Sequence, residues 1–286
     1  MKKNKSVLIT DLDNTIYDWF RVWHSSFSAM LDTVVTISGI SKAILLPQIK
    51  AIHQKHGTSE YAFLLENIPA LVDKYGTPEA VKSKMISSIE AYRQARSEHL
   101  KLYPTVEETL KLIKSKGALV VVYTESKSFY SNYRIQKLGL DKYIDYIYSP
   151  SDHAIPETHQ KSVFYFKNTI QKYTPEGESK PNPHLLMEII EGIGASREDC
   201  VYIGDSEMKD IEMAQQANVD DVFAKYGNAH FNSNDEAYDL LREVTHWTKE
   251  DVEREKQIKQ KATGASPTIT VEQFSDLLKH FNFTRF

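Results

Sequence analysis

The sequence lacks the features of several common protein classes. Only one cysteine, Cys200, occurs among 286 residues, which excludes an internal disulfide and a cluster of cysteine metal ligands. We expect Cys200 to be a small buried residue rather than a reactive thiol. Basic residues are not in excess either, because 35 lysines and arginines face 39 aspartates and glutamates, for a net charge of −4. The chain therefore has no overall basic surface of the kind that binds nucleic acid.

Long apolar segments are also missing from the sequence. No stretch approaches the roughly 18 apolar residues that a transmembrane helix requires. The basic residues at 2–5 precede an apolar run of only four residues, 7–10, which ends in aspartates; this pattern does not resemble a signal peptide. We expect a cytoplasmic enzyme that has neither nucleic acid nor membrane as a partner, and the sequence sets no oligomeric state.

The first apolar run, residues 7–10, ends at two acidic residues. It is short and β-branched, and Asp11 and Asp13 follow it directly. Such a run is typical of a strand that is buried on both faces. In open α/β sheets ligands bind outside the carboxyl ends of the strands, and two adjacent carboxylates are costly unless a cation or a proton intervenes. We therefore predict a metal-assisted carboxylate site at the end of a central strand.

The region that follows, residues 17–100, is predicted to be helical. Apolar residues recur every three or four positions over 19–36 and 41–56, as on the buried face of an amphipathic helix. Thr77 is a good N-cap and Pro78 a good first residue for a helix over 78–98. We predict no strand between 17 and 100, so this region forms a separate helical domain inserted after one strand.

Strands and helices alternate in the rest of the chain. Apolar runs predict strands at 118–123, 144–149, 200–203 and 221–224. Helices are predicted at 105–116, 128–138 and 184–193, and another follows the segment 204–210 and ends at about 217. This alternation predicts an α/β fold with a doubly wound, Rossmann-like parallel sheet. The stretch 151–179 has no clear periodicity, and the highly charged stretch 232–264 is predicted to be helical; both are interpreted as insertions on the core. The expected core is therefore 1–16 with 101–286, and the helical domain is 17–100.

Acidic and hydroxyl residues follow several of the predicted strands. Asp11 and Asp13 follow the first strand, Thr124 the second, and Asp205 and Asp210 the fourth. Any one of them alone is better explained as a helix cap or turn residue, but all of them lie at the same edge of a parallel sheet. At about 4 Å, each like-charged pair costs about 4 kcal/mol at an effective dielectric of 20. A hard cation such as Mg²⁺ removes that cost.

Lys180 and Thr124 complete a predicted phosphoryl site. Lys180 stands before Pro181, Asn182 and Pro183, and these residues fix the start of the next helix. The hydroxyl group of Thr124 and the backbone N–H groups after it can hold an oxyanion.

Together these segments resemble the haloacid dehalogenase-like hydrolases of the phosphatase kind. DLDNT at 11–15 resembles the first motif of that family, the strand that ends at Thr124 its second, Lys180 its third and GDSEMKD at 204–210 its fourth. The motifs occur in the order of the family and cover 1–16 and 101–227. The inserted helices at 17–100 resemble its cap domain.

The resemblance implies a role for each matching residue. Asp11 is the expected nucleophile, which forms an aspartyl-phosphate, and Asp13 the expected acid and base. Thr124 and Lys180 are expected to hold the phosphoryl oxygens. Asp11, the backbone carbonyl of Asp13, Asp205 and Asp210 are the expected Mg²⁺ ligands. The cap is expected to select the substrate, a small phosphorylated metabolite.

Two positions and one spacing depart from the family pattern. Thr105 and Asn218 stand where the family usually has glycine, and Asn tolerates the left-handed conformation. The last two acids, Asp205 and Asp210, are five positions apart, a known variant of the spacing of four that the family often has, and Glu207 is an alternative ligand.

Several other functions use similar residues. A phosphotransferase or mutase uses the same site, and a non-catalytic phosphate-binding protein needs no nucleophile. A dehalogenase does not need Asp13, and a receiver domain lacks an inserted helical domain. The substrate stays open between nucleotides and sugar phosphates, since Tyr17 or Trp19 could stack on a ring, although aromatic residues at helical spacing are more often part of the core.

Overall fold

The computed structural model describes residues 2–154, 164–228, 236–250, 253 and 266–286. These residues divide into two compact units. The sheet unit comprises the described residues of 1–18, 101–229 and 258–286, and the helical unit those of 19–100 and 230–257.

The strands and helices of the described residues have the following bounds. The strands are β1 (Lys3–Lys5), β2 (Val7–Thr10), β3 (Leu119–Tyr123), β4 (Tyr146–Ser149), β5 (Ile170–Tyr173), β6 (Cys200–Gly204), β7 (Asp220–Ala224), β8 (Ile269–Val271) and β9 (Phe281–Phe283). The α-helices are α1 (Trp19–Ser38), α2 (Lys42–His56), α3 (Pro69–Tyr75), α4 (Pro78–Lys84), α5 (Ile86–His99), α6 (Val106–Ser115), α7 (Ser128–Lys137), α8 (Pro183–Gly192), α9 (Glu212–Gln216), α10 (Glu236–Val244) and α11 (Leu277–His280).

A seven-stranded parallel sheet forms the centre of the sheet unit, with the order β5-β4-β3-β2-β6-β7-β8. Its middle strand, β2, is buried along its whole length, as the apolar run at 7–10 predicts. On one face, Val7 and Ile9 pack with apolar residues of α8 and α9, while α6 packs against β3. The predicted α/β fold with a doubly wound parallel sheet is confirmed.

The register of the sheet brings the predicted site residues to one edge. Thr10, the last residue of β2, pairs with Val122 of β3 and with Ile203 of β6. Asp11 therefore continues past β2 at the level where β3 and β6 end. Thr124 and Asp205 follow those two strands directly, so the three side chains start from neighbouring strand ends.

The helical unit has a core of its own. Phe20, Trp23 and Phe27 lie on one face of α1 and are buried with apolar residues of α2 and of the segment 64–85. This is the spacing of three and four residues that predicts a buried helix face. In the described residues, no strand lies between 19 and 100.

Two parts of the sequence differ from their predicted structure. The helix predicted over 78–98 is divided into α4 and α5 at Met85, whose side chain is fully buried in the core of the helical unit. The backbone of Met85, with φ −97° and ψ 16°, leaves the α-helical conformation. Thr77 does cap α4, since its hydroxyl oxygen accepts a hydrogen bond from the backbone N–H of Ala80 at 3.2 Å.

The stretches predicted to be insertions also contain regular structure. Part of 151–179 forms β5, the edge strand of the sheet, which is mostly exposed and therefore lacks an apolar signal. Within 232–264, the predicted helical structure is found as α10. It belongs to the helical unit rather than to the core, because Tyr238, Leu241 and Val244 are buried with the apolar residues of that unit. Of 232–264, only 236–250 and 253 are among the described residues. The segment 155–163 also lies outside them.

Three short strands were not predicted at all. β1 and β9 pair in parallel as a separate two-stranded sheet, and β8 extends the large sheet beyond β7. Each has only three residues, too few for a period-two pattern to stand out. None of the helices in the described residues is long and apolar enough to cross a bilayer.

The stability of the helical unit should depend on pH, because the unit contains a buried histidine. His53 is fully buried, and its Nδ1 donates a hydrogen bond to the carbonyl oxygen of Val244 at 2.6 Å. Burial lowers the pKa of His53 to about 4 from the ordinary 6.5. The unfolded chain therefore binds the proton more tightly, and stability is lost as the pH falls from 6.5 towards 4. The expected loss is about 3 kcal/mol.

Tryptophan fluorescence can measure this effect, since Trp19, Trp23 and Trp247 all belong to the helical unit. In denaturant titrations at pH 7 and pH 4.5, the His53→Gln variant should lose less stability on acidification than the wild type. His184→Gln is the matched control, because the His184 side chain is 85% exposed. Equal acid sensitivity in all three proteins contradicts the prediction.

Candidate active site

Three carboxylates converge at the carboxyl edge of the sheet. Asp11, Asp205 and Asp210 each place one carboxylate oxygen within 4.8 Å of the others. Asp11 is held by its backbone N–H, which donates to the carbonyl oxygen of Ile203 at 2.9 Å. Glu207, the alternative ligand, is exposed, whereas Asp210 is buried. These oxygen ligands fit a hard divalent cation.

A π-helical turn accounts for the five-residue spacing between Asp205 and Asp210. The turn spans Glu207–Ile211 and leads into α9. A π-turn accommodates one residue more than an α-helical turn, so Asp210 still reaches the cluster. Gly204 makes room for it: a Cβ atom at that position would lie 2.3 Å from Cγ of Asp210.

Lys180 lies within this carboxylate cluster. Its Nζ donates to Oδ1 of Asp11 at 2.5 Å and to Oδ1 of Asp210 at 2.9 Å. The rings of Tyr123 and Tyr202 have centroids 4.9 and 5.5 Å from the same Nζ, and Tyr202 also donates its hydroxyl to Asp210 at 2.8 Å. The peptide bond between Lys180 and Pro181 is cis.

Burial and mutual repulsion shift the pKa values of these groups. Burial raises the pKa of Asp11 to about 7; Asp210 and Asp13 add to that effect, and Lys180 opposes it. Burial, Asp11 and Asp210 raise the pKa of Asp205 well above its ordinary value. Burial disfavours the charged form of Lys180, but the carboxylates of Asp11 and Asp210 outweigh it and hold the pKa of Lys180 well above its usual range. The cluster therefore attracts positive charge.

Asp13 accepts hydrogen bonds from a different set of residues. Oδ1 accepts from the hydroxyl of Tyr17 and from Nη1 of Arg134, the latter at 3.3 Å, and Oδ2 accepts from Oγ of Ser126 at 2.5 Å. Tyr17 is fully buried in the sheet unit. Its hydroxyl is engaged with Asp13, which favours a structural role over the stacking on substrate considered from the sequence.

Thr124 and Asp13 are connected through Ser126. Oγ1 of Thr124 accepts from the backbone N–H of Ser126 at 3.0 Å, while Oγ of Ser126 donates to Asp13. The backbone N–H of Thr124 donates to the carbonyl of Tyr148 at 3.0 Å and stays in the sheet hydrogen-bond pattern. Thr124 thus offers its hydroxyl proton, and its backbone N–H is already used.

A second ion pair supports the loop after β3. Glu125 accepts from the backbone N–H of Lys180 at 3.0 Å and from Nζ of Lys209 at 2.5 Å. Burial opposes ionisation of Glu125, but the cations Lys209 and Lys180 hold its pKa below the ordinary value. This pair ties the loop that carries Thr124 to Lys180 and to the π-turn.

The turn after β7 packs on the loop that follows Asp11. The hydroxyl of Tyr226 donates to the carbonyl of Thr15 at 2.7 Å. A Cβ atom at Gly227 would lie 1.9 Å from the carbonyl oxygen of Asn14, so only glycine permits this close approach. The contact fixes the backbone beside Asp13.

Of the predicted residues, the structure brings Asp11, Asp205, Asp210 and Lys180 together, and it links Thr124 to Asp13 through Ser126. Sequence analysis missed Glu125, Ser126, Arg134, Tyr202 and Lys209. Glu125, Ser126 and Lys209 adjoin the motifs, so their positions gave some signal. Arg134 lies in a helix of mixed polarity, and nothing in its neighbourhood marks it.

Comparisons with known proteins identify the family of the chain. A family model described as haloacid dehalogenase-like hydrolase matches residues 5–218. The chain is 24% identical over 227 residues to a phosphoglycolate phosphatase of Colwellia psychrerythraea, covering 79% of this chain and 86% of that protein. It is 22% identical over 230 residues to a glyceraldehyde 3-phosphate phosphatase of Methanopyrus kandleri, covering 78% and 84%.

Among solved structures, a 2-haloacid dehalogenase from Pseudomonas syringae superposes with a TM-score of 0.55 at 16% identity, and covers 98% of this chain and 97% of its own. This likeness concerns the fold alone. The family model covers most of the sequence and includes the segments that carry Asp11, Thr124, Lys180 and Asp210. The recognition made from the motifs is confirmed: the chain belongs to the haloacid dehalogenase-like hydrolases.

Proposed function

We propose that this chain hydrolyses a small phosphomonoester through an aspartyl-phosphate formed on Asp11. The observation that carries the proposal is the cluster of Asp11, Asp205 and Asp210, in which Asp11 and Asp210 pair with the ammonium group of Lys180. With all groups ionised, three carboxylates and one ammonium leave two negative charges. A divalent cation neutralises them, and the phosphoryl group brings its own negative charge to the same place.

The donor set fits Mg²⁺, and we propose that cation as the cofactor. Asp11, Asp205, Asp210 and the backbone carbonyl of Asp13 would hold it. When bound, it neutralises the carboxylates and the oxygens of the phosphoryl group, and thereby lowers the cost of bringing them together.

In the proposed first step, a carboxylate oxygen of Asp11 attacks phosphorus and the bond to the leaving oxygen breaks. Asp13 gives a proton to that oxygen. In the second step Asp13 takes a proton from water, which attacks the aspartyl-phosphate and releases phosphate and free Asp11. Lys180 and the hydroxyl of Thr124 bind the phosphoryl oxygens.

The two named relatives suggest the size of the substrate. Phosphoglycolate and glyceraldehyde 3-phosphate, the substrates in their names, are short phosphorylated metabolites. We propose a substrate of this class, and we propose that the helical unit, as the cap of this family, selects its leaving group.

Activity should require a divalent cation. We expect excess chelator to remove at least about 99% of phosphate release from a panel of phosphorylated metabolites, and Mg²⁺ to restore it. Ca²⁺ should serve poorly, because it prefers more ligands and looser geometry than Mg²⁺. Full activity in chelator contradicts the metal proposal. Transfer of phosphate to a second metabolite without release of phosphate favours a phosphotransferase instead.

The same assay separates Asp210 from Glu207 as the ligand. The Asp210→Asn variant should need more Mg²⁺ for half-maximal activity, by about 10-fold or more, and Glu207→Gln should not. The reverse pattern contradicts the place of Asp210 in the site.

A further inference from the structure

Arg134 is a buried cation next to the proposed acid–base residue. It lies in α7, and its side chain is only 2% exposed. Its Nη1 is 3.3 Å from Oδ1 of Asp13 and 3.0 Å from Oγ of Ser126. The guanidinium carbon lies 5.5 Å from the ring centroids of both Tyr17 and Tyr130. Arg134 thus lies among two tyrosine rings, a hydroxyl and a carboxylate.

Nη1 of Arg134 bridges two acceptors, Asp13 and Ser126. A strong arginine–carboxylate pair is bidentate, with two short parallel hydrogen bonds, whereas one nitrogen of Arg134 is shared between Asp13 and Ser126. The shared nitrogen therefore links the carboxylate of Asp13 to the hydroxyl of Ser126.

The contacts do restrict the position of the Asp13 carboxylate. Arg134 and Tyr17 reach Oδ1, and Ser126 reaches Oδ2, so donors approach both oxygens. Arg134 also donates to Ser126, whose backbone N–H donates to Thr124. Ser126 therefore links the carboxylate of Asp13, the proposed proton donor, to the hydroxyl of Thr124, which is proposed to bind the phosphoryl group.

We infer that Arg134 is a positioning residue, which acts through Ser126 and Tyr17 to hold the carboxylate of Asp13 where it meets the leaving oxygen. This inference rests on the proposed function, in which Asp13 is the general acid. A misplaced acid harms a poor leaving group most, because a good one departs without full protonation. Loss of Arg134 therefore changes the dependence of the rate on the leaving group, and not only the rate.

The test compares an alkyl phosphate with p-nitrophenyl phosphate, using kcat/KM, which reports the first phosphoryl transfer. For Arg134→Ala we expect kcat/KM to fall by about 10- to 100-fold with the alkyl substrate and by less than about 3-fold with the aryl substrate. The loss with the alkyl substrate is a part of the rate factor of about 10² to 10⁴ that general acid catalysis supplies. Added guanidinium ion, at concentrations far below those that unfold the protein, should restore part of the alkyl rate.

The neighbouring residue provides a matched control. Ile135 is fully buried in the same helix, and Ile135→Ala destabilises the packing without removing a donor to Asp13. For Ile135→Ala, the ratio of kcat/KM for the alkyl substrate to that for the aryl substrate should equal that of the wild type. Added guanidinium ion should not raise the alkyl rate of this variant. If Arg134→Ala lowers both rates equally, as a destabilised protein does, the inference is wrong.

A second variant covers the case in which Arg134→Ala does not fold. Ser126→Ala removes the donor to Oδ2 and leaves no buried charge unpaired, and it should shift the alkyl-to-aryl ratio in the same direction. An unchanged ratio in that variant overturns the inference.

Asp13→Asn separates this inference from the proposed function. If Asp13→Asn shifts the ratio and neither Arg134→Ala nor Ser126→Ala does, the positioning role fails and the acid role stands. If Asp13→Asn does not shift the ratio, the acid role itself fails.

Discussion

Asp11→Asn should abolish turnover, while Asp13→Asn should retain part of it. Without the Asp11 carboxylate no covalent phosphoenzyme forms, and we expect kcat to fall on the order of 10⁴-fold or more. Asp13→Asn keeps the nucleophile and the backbone carbonyl but removes the proton donor. An alkyl phosphate should then lose about 10² to 10⁴ in rate, and an aryl phosphate much less.

The covalent intermediate provides an independent measurement. Asp13 is also the proposed base for the second step, so its variant should accumulate aspartyl-phosphate when the leaving group is good. Mass spectrometry after a rapid acid quench detects that adduct, and Asp11→Asn should not form it. Near-normal turnover of Asp11→Asn, or equal loss on both substrates with no adduct in Asp13→Asn, contradicts the assigned roles.

Loss of activity in Asp11→Asn should not reflect loss of the fold. Because the pKa of Asp11 is raised to about 7, the unfolded chain releases this proton more readily, and the ionised carboxylate costs stability as the pH rises from 3.8 through 7. The neutral asparagine avoids that cost. Asp32→Asn is the matched control, since the Asp32 carboxylate is 63% exposed and pairs with Lys42; it should keep full activity.

Gly204→Ala should disable the proposed metal site with a single methyl group. The added Cβ would lie 2.3 Å from Cγ and 2.4 Å from Oδ2 of Asp210, far closer than atoms can approach. Tyr202, Lys180 and the backbone N–H of Ser206 hold that carboxylate in place, so the substitution must break some of these contacts. We expect Mg²⁺ affinity to fall by about 10- to 100-fold, and kcat/KM to fall with it.

Calorimetric Mg²⁺ titration without substrate measures the binding loss, and activity at saturating Mg²⁺ shows what remains. Gly192→Ala is the control, because its Cβ would meet only the hydroxyl of Tyr148, at an ordinary 3.6 Å, and alanine is the better helix former by about 1 kcal/mol. If Gly204→Ala binds Mg²⁺ as the wild type does, Asp210 is not part of the metal site.

The fold class and the family could be predicted from the sequence because they depend on local patterns. An apolar run such as 7–10, too short for a helix, becomes a buried strand almost wherever it stands, and parallel strands bring their carboxyl ends to one edge. Asp11, Thr124 and Asp205 follow such strands directly, so their common location follows from topology. Lys180 does not follow a predicted strand, and its role is predicted from the two prolines after it and from the family pattern.

Other features were set by contacts between distant parts of the chain. β5 has little apolar signal and β8 has only three residues. Both are edge strands, and they form because β4 and β7 present free hydrogen-bonding edges. α10 follows β7 in the sequence but belongs to the helical unit, since its buried face, Tyr238, Leu241 and Val244, completes the core of that unit. A hydrophobic pattern in the sequence indicates that one face of a helix is buried, but it does not indicate which part of the protein covers that face.

The surroundings of Asp13 show the same limit at atomic scale. The sequence by itself determined that Asp11 and Asp13 stand at the end of β2, because both belong to the short motif that directly follows this strand. Only the tertiary structure decided that Arg134, 121 positions further along the chain, reaches Asp13, and that Glu125 joins Lys180 to Lys209. These contacts depend on the direction in which each side chain leaves its helix or loop, and that direction is fixed only when the elements pack against one another.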